Sequence, residues 1–157
     1  MCLIEVLVWG GISWKGPTNL VVLDGSCRVD AVEYCKILRD GYVEWERENF
    51  GGKSLLVQDN APCHKANITK EFLKREEIET EDWPAESPDL NPVELVWGEM
   101  KRYLKTTWKP TNVPHLVEGI NEFWTNVLTA DKCQNYIRHV HTQMRRVIEV
   151  DGKPVKD

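Results

Sequence analysis

Two carboxylates stand where side-chain oxygens can be aimed at a cation. Asp59 follows the apolar run in "LLVQDNAPCH" (55–64), at the point where a strand should stop. Glu94 lies in "SPDLNPVELVWGEMK" (87–101), in the first turn of the most strongly patterned helix of the chain. Hard divalent cations are held by such oxygens. In-line cleavage of a phosphodiester calls for two ions about 3.5–4 Å apart, clamping the attacking and leaving oxygens. Strand ends and helix N-termini are rigid mounts for these ligands, better than free loops. Each residue also has a plainer role open to it. Asp59-Asn60 before Pro62 fits an Asx-type turn, and Glu94 is at N3 if Asn91 caps the helix and Pro92 is N1, the acidic position of a capping box. The plain and the chemical roles are compatible.

The elements that must carry these groups follow from the spacing of apolar residues. Residues 3–9 form a nearly continuous apolar run ending in Gly10-Gly11, and 20–23 form a second after Gly16-Pro17. The short Gly-rich spacer predicts an antiparallel hairpin, and the lack of alternation predicts burial on both sheet faces beneath helices. Ala31, Tyr34, Cys35, Leu38, Tyr42 and Trp45 recur at helical spacing, with Asp30 placed to cap them. A strand at 54–58, a helix after His64 carrying Ile68 and Phe72, and a weak extended segment at 78–83 come next. Val93, Val96, Trp97, Met100 and Leu104 define the helix opened by Asn91-Pro92. Leu116, Ile120, Phe123 and Val127 form another stripe, and Tyr136, Val140 and Met144 a third. Strand, strand, helix, strand, helix, strand, then helices is an α/β order with a mixed sheet.

The chain of 157 residues, 41% apolar, suits one domain with a proper core. No run reaches the ~18–20 apolar residues of a membrane span, so no membrane association is expected, and the N-terminus lacks the features of a signal peptide. Five cysteines (2, 27, 35, 63 and 133) without a CxxC pair indicate neither a disulfide framework nor zinc, and fit cytosol or nucleus. The net charge of −5 is unevenly spread: residues 1–97 carry 10 basic and 18 acidic groups, residues 98–157 carry 10 basic and 7 acidic ones. An acidic body with a basic C-terminal third can still face phosphates on one side.

"VQDNAPCH" and "WPAESPDLNPVELVWGEMKRYLK" together resemble the signature of the Tc/mariner transposase catalytic domain, a DDE-type RNase H-like fold. The 34 residues between Asp59 and Glu94 match the interval of the branch whose third acid is Glu. "VLVWGGIS" (6–13) resembles the second core strand of that domain, "NLVVLDGSCRVDAVEYCKILRD" (19–40) the strand and helix after it, and "MRRVIEVDGKPVKD" (144–157) the usual tail. The likeness thus runs in order through essentially the whole chain.

The resemblance implies that Asp59 and Glu94 are the second and third catalytic acids, both ligating Mg2+ or Mn2+. It implies DNA as partner, both transposon ends and target, and a nuclear location, and leaves open a homo-oligomer. Asn60 and His64 flank the site, where they can touch a phosphate or orient a ligand; His64 alternatively caps the following helix. Lys101, Arg102 and Lys105, one or two turns beyond Glu94, can meet the DNA backbone, or be ordinary exposed helix charges. The family's first Asp, on the central strand before "VLVWGGIS", has no counterpart: Met1-Cys2-Leu3-Ile4-Glu5 offers none, and Asp24 and Asp30 look like turn and cap residues. Residues 1–157 are therefore expected to form a partial, N-terminally truncated DDE domain, inactive or nearly so as written. The competing reading is a non-catalytic DNA- or protein-binding module derived from a transposase; a decaying element without selected function is a third.

Overall fold

In the computed structural model, residues 5–82 and 90–149 are described. The start of the first apolar run at residues 3 and 4, residues 83–89 of the signature and the tail after 149 lie outside them.

The two apolar runs pair as expected. Strand β1 (Val6–Trp9) is antiparallel to β4 (Val21–Asp24), with Val8 opposite Val22. The connection is not a plain turn, because β2 (Ile12–Ser13) and β3 (Gly16–Pro17) form a small hairpin of their own within it. Neither β1 nor β4 is fully buried on both faces: Leu7 is exposed, and its neighbours are only half-buried. Strand β5 (Leu55–Gln58) runs parallel to β6 (Glu79–Asp82), Leu56 opposite Thr80. The antiparallel and parallel pairs of the expected mixed sheet are both present, but among the described residues no hydrogen bonds join one ribbon to the other.

One helical layer spans both ribbons. Helix α1 (Ala31–Leu38) opens on Asp30, whose carboxylate accepts the Glu33 N–H at 2.8 Å. It passes through a π-helical turn at Arg39–Val43 into α2 (Glu44–Phe50). Tyr34, Cys35, Leu38 and Tyr42 are buried as their spacing predicts, together with Leu56 of β5 and with Phe72 and Leu73 of α4 (Asn67–Arg75); Trp9 of β1 packs against the same cluster. Here one expectation fails. Ile68 is 52% exposed, and Thr69 is fully buried in its stead. The Thr69 hydroxyl donates to the Cys63 carbonyl at 2.5 Å, which lets a polar residue take the inward position at little cost.

The opposite layer is made of α5 (Pro92–Tyr103), α6 (Val113–Glu122) and α7 (Ala130–Glu149), with further π-helical turns at Leu104–Trp108 and Phe123–Val127. Val96, Met100, Leu104, Ile120, Phe123, Trp124, Leu128 and Cys133 form its core, over Val6 and Val8 of β1 and Val22 of β4. Gly119 is there because Trp108 is: a Cβ at 119 would lie 2.4 Å from the indole Cδ1. The same indole donates to the His115 carbonyl at 2.8 Å. Gly119→Ala should therefore push Trp108 off that acceptor and cost about 1–3 kcal/mol. Thermal unfolding with the Trp108→Phe protein as reference checks this, and an unchanged midpoint would refute it.

Candidate metal-binding site and its basic flank

Asp59 is delivered by a strand held at both ends. At the entry to β5, the buried Glu46 of α2 accepts the Ser54 N–H at 2.9 Å, while Tyr42 and Ser54 share a hydroxyl contact of 2.7 Å. At the exit, the Tyr34 hydroxyl donates to Gln58 Oε1 at 2.5 Å. Burial, reinforced by the nearby Cys63 and Asp59, pushes the Tyr34 hydroxyl well above its ordinary pKa, so it stays a donor. The residue after this brace is Asp59.

The turn reading of Asp59 is correct as far as it goes. Oδ1 accepts the Ala61 N–H at 3.0 Å, an Asx turn that leads into α3 (Pro62–Lys65). His64 Nδ1 lies 2.7 Å from the same oxygen and 3.0 Å from the Asp59 carbonyl. Both neighbours are acceptors, so Nδ1 carries the proton. The imidazole also rests on Tyr34, ring centroids 4.2 Å apart. His64 thus does not cap the following helix: the N-cap residue of α4 is Ala66, with no side-chain cap. It braces Asp59 instead. Oδ1 takes both bonds and the side chain is 67% exposed, so Oδ2 is uncommitted among the described residues.

Glu94 is exposed in the first turn of α5, where Asn91 caps by accepting the Val93 N–H at 3.3 Å. The cap is real, but the reciprocal half of a capping box is not made: the Glu94 carboxylate has no hydrogen bond or ion pair among the described residues. The helix is anchored from its other side. Trp97 stacks on Trp124 at 5.4 Å and 20°, and Glu99 bonds Lys132 of α7 at 2.7 Å. Lys101, Arg102 and Lys105 are exposed and likewise form no ion pair among the described residues. Among the described residues no group of three or more acidic, histidine or cysteine side chains converges as a metal cage. Asp59 and Glu94 are both exposed carboxylates with oxygen to spare among the described residues, a donor type that suits a hard cation keeping much of its water. No local pattern announces the Tyr34–Gln58 brace, whose members are 24 residues apart.

The geometry has parallels among known proteins. The model of a family described as DDE superfamily endonuclease matches residues 5–116. The transposable element Tc3 transposase of Caenorhabditis elegans is 29% identical over 152 residues, covering 96% of this chain and 45% of that protein. The transposable element Tcb2 transposase of Caenorhabditis briggsae is 27% identical over 152 residues, 97% of this chain and 54% of that one. The chain thus spans about half the length of these relatives. A structure of the Mos1 transposase catalytic domain with Raltegravir and Mg superposes with a TM-score of 0.79 at 18% identity, over 96% of this chain and 76% of that one. The fold is therefore the expected RNase H-like one, and the chain belongs to the DDE superfamily endonucleases, in the branch of the Tc/mariner transposases.

Proposed function

We propose that residues 1–157 are the metal-binding part of a Tc/mariner transposase catalytic domain that acts on transposon ends and target DNA, with Asp59 and Glu94 as two of its acids. The observation that carries this reading is the state of these carboxylates. Each sits at the end of a rigid element, exposed, with at least one oxygen that no group among the described residues uses. All-oxygen donors of this kind fit Mg2+ or Mn2+, and the related Mos1 domain is described with Mg. The metal, when bound, would polarise a phosphodiester and activate water. The chain's own residues orient the ligands, His64 by fixing one oxygen of Asp59, and Lys101, Arg102 and Lys105 would meet the DNA backbone. The nucleus is where such a protein finds its DNA, and work on two transposon ends would suit a homo-oligomer.

The domain is partial on this reading. Residues 1–157 carry two of the family's three acids at matching positions, and two acids hold one ion weakly without fixing a second. Among the described residues the two ribbons lie on one helical layer without pairing with each other, and Leu7, Leu55 and Val57 are 39%, 49% and 42% exposed. An added strand bearing the first Asp would cover apolar surface, pair free edges and complete the site. As written, the chain should cleave DNA little or not at all. A derived, non-catalytic DNA- or protein-binding module is the second reading, favoured by the excess of basic groups in residues 98–157.

Titration with Mn2+, followed by loss of the free-ion electron paramagnetic resonance signal, tests the site. The wild-type chain should bind weakly, and Asp59→Asn should bind at least about tenfold more weakly, about 1.4 kcal/mol. Equal binding by both would sink the assignment. On a nicked-end substrate with Mg2+ or Mn2+, cleavage abolished by Asp59→Asn or Glu94→Gln marks an enzyme. Salt-sensitive DNA binding untouched by either change, without cleavage, marks the module.

A further inference from the structure

Helix α5 contains a glycine that its own fold does not explain. Gly98 is exposed in mid-helix, and a Cβ built there meets nothing within 4 Å. By contrast, Gly10, Gly41 and Gly119 each abut a tryptophan ring that leaves no room for a side chain. Glycine inside a helix costs roughly 1 kcal/mol relative to alanine, and at Gly98 no packing contact among the described residues offsets it. The bare backbone there is open to a ligand.

The surroundings say what. At 100° per residue, Glu94, Gly98, Lys101 and Lys105 fall on one narrow stripe of the helix, with Arg102 at its edge. All five are exposed, whereas Val96, Met100 and Leu104 occupy the buried side. The stripe starts at a carboxylate beside the helix N-terminus and ends in three cations. Gly98 lies ~6 Å along the axis from Glu94 and ~5–10 Å from Lys101 and Lys105, a span on the order of one to three nucleotide steps of a DNA strand. A metal-held phosphate at one end and cation-held phosphates at the other would draw the intervening sugar-phosphate chain across position 98.

We propose that Gly98 is the point of closest approach between α5 and a bound DNA strand, kept bare so that the strand can lie against the helix backbone between Glu94 and the basic end. This deepens the reading given under the proposed function, and rests on it for the identity of the ligand as DNA. A side chain at 98 would hold the strand off the helix and lengthen the cation–phosphate contacts. Stability and binding must then respond in opposite directions, which a purely structural glycine does not produce.

The experiment is DNA binding by fluorescence anisotropy at several salt concentrations, using the full chain and a labelled nicked duplex, alongside thermal unfolding. Gly98→Ala should raise Tm by about 2–4 °C and weaken binding about threefold. Gly98→Leu should keep Tm at or above the wild-type value and weaken binding about tenfold. Lys101→Ala, as a reference, should weaken binding, lower the salt slope by about 1 and leave Tm unchanged. Gly98 variants that bind as tightly as wild type while Lys101→Ala binds less would overturn the role of Gly98 and leave the DNA reading standing. A wild-type chain with no salt-dependent DNA binding would overturn both.

Discussion

Trp124→Ala should be among the most damaging single substitutions outside the acids, lowering stability by about 3–5 kcal/mol. The indole is 5% exposed and does three things at once. It stacks on Trp97, fixing the helix that presents Glu94. It donates from Nε1 to the Thr18 carbonyl at 2.8 Å, tying the helical layer to the β2–β3 hairpin. It fills the space over Gly10, where an added Cβ would fall 2.5 Å from its ring. Alanine leaves a cavity and an unpaired buried carbonyl. Urea unfolding checks the size, and Trp124→Phe, which retains the stack but not the donor, should lose about 1–2 kcal/mol less. Equal midpoints for wild type and Trp124→Ala would show that the two layers are held by something else. Against a total stability of roughly 5–15 kcal/mol, a loss of this size leaves the Ala protein partly unfolded at body temperature.

The second large effect should appear in alkali. Cys133 is fully buried, and burial pushes its thiol from an ordinary value of 9.0 to about 11. Between these values the unfolded chain has lost a proton that the folded protein keeps, so stability falls as pH rises. The contribution is complete below about pH 9 and spent above about pH 11. It amounts to roughly 2–3 kcal/mol for this one group. Tyr34, Tyr42 and Cys63 are also raised by burial and act in the same direction, the tyrosines from about pH 10 upward. Unfolding midpoints measured from pH 8 to 11 should drop steeply, and Cys133→Ala should flatten the first part of the decline. A Cys133→Ala profile parallel to wild type would remove the thiol from the account.

The sequence was most informative where a local pattern dominates. Asp59 could be placed at a strand end because Leu55, Leu56 and Val57 stop at turn-forming residues, and α5 could be placed because its apolar side recurs at a helical period. The sequence was silent where tertiary contact decides. Strands of two residues, like β2 and β3, are too short to show any alternation. The π-helical turn at Arg39–Val43 leaves the burial of Tyr34, Leu38 and Tyr42 intact, so the apolar spacing does not announce it. Ile68 lost its inward place to Thr69 because a hydroxyl found the Cys63 carbonyl. His64 looked like a cap because its partner, Asp59, lies five residues back and its resting surface, Tyr34, belongs to a different helix. The apolar runs revealed the strands, yet held no information that β1–β4 and β5–β6 would be separate ribbons among the described residues.

The bond between Trp124 and Thr18 joins groups 106 residues apart, and Gln134 reaches back 120 residues to the Trp14 carbonyl. Such separations make for high contact order and slow closure. They also set a schedule for the chain as it is made. The β1–β4 ribbon is complete once Asp24 has been added, but the face carrying Val6, Val8 and Val22 finds its cover only in residues from Val96 onward. At about 5–20 residues per second of synthesis, the interval from Thr18 to Trp124 lasts about 5–20 s. During that time an apolar ribbon without its helical cover waits at the ribosome, a target for chaperones and a hazard for neighbouring nascent chains.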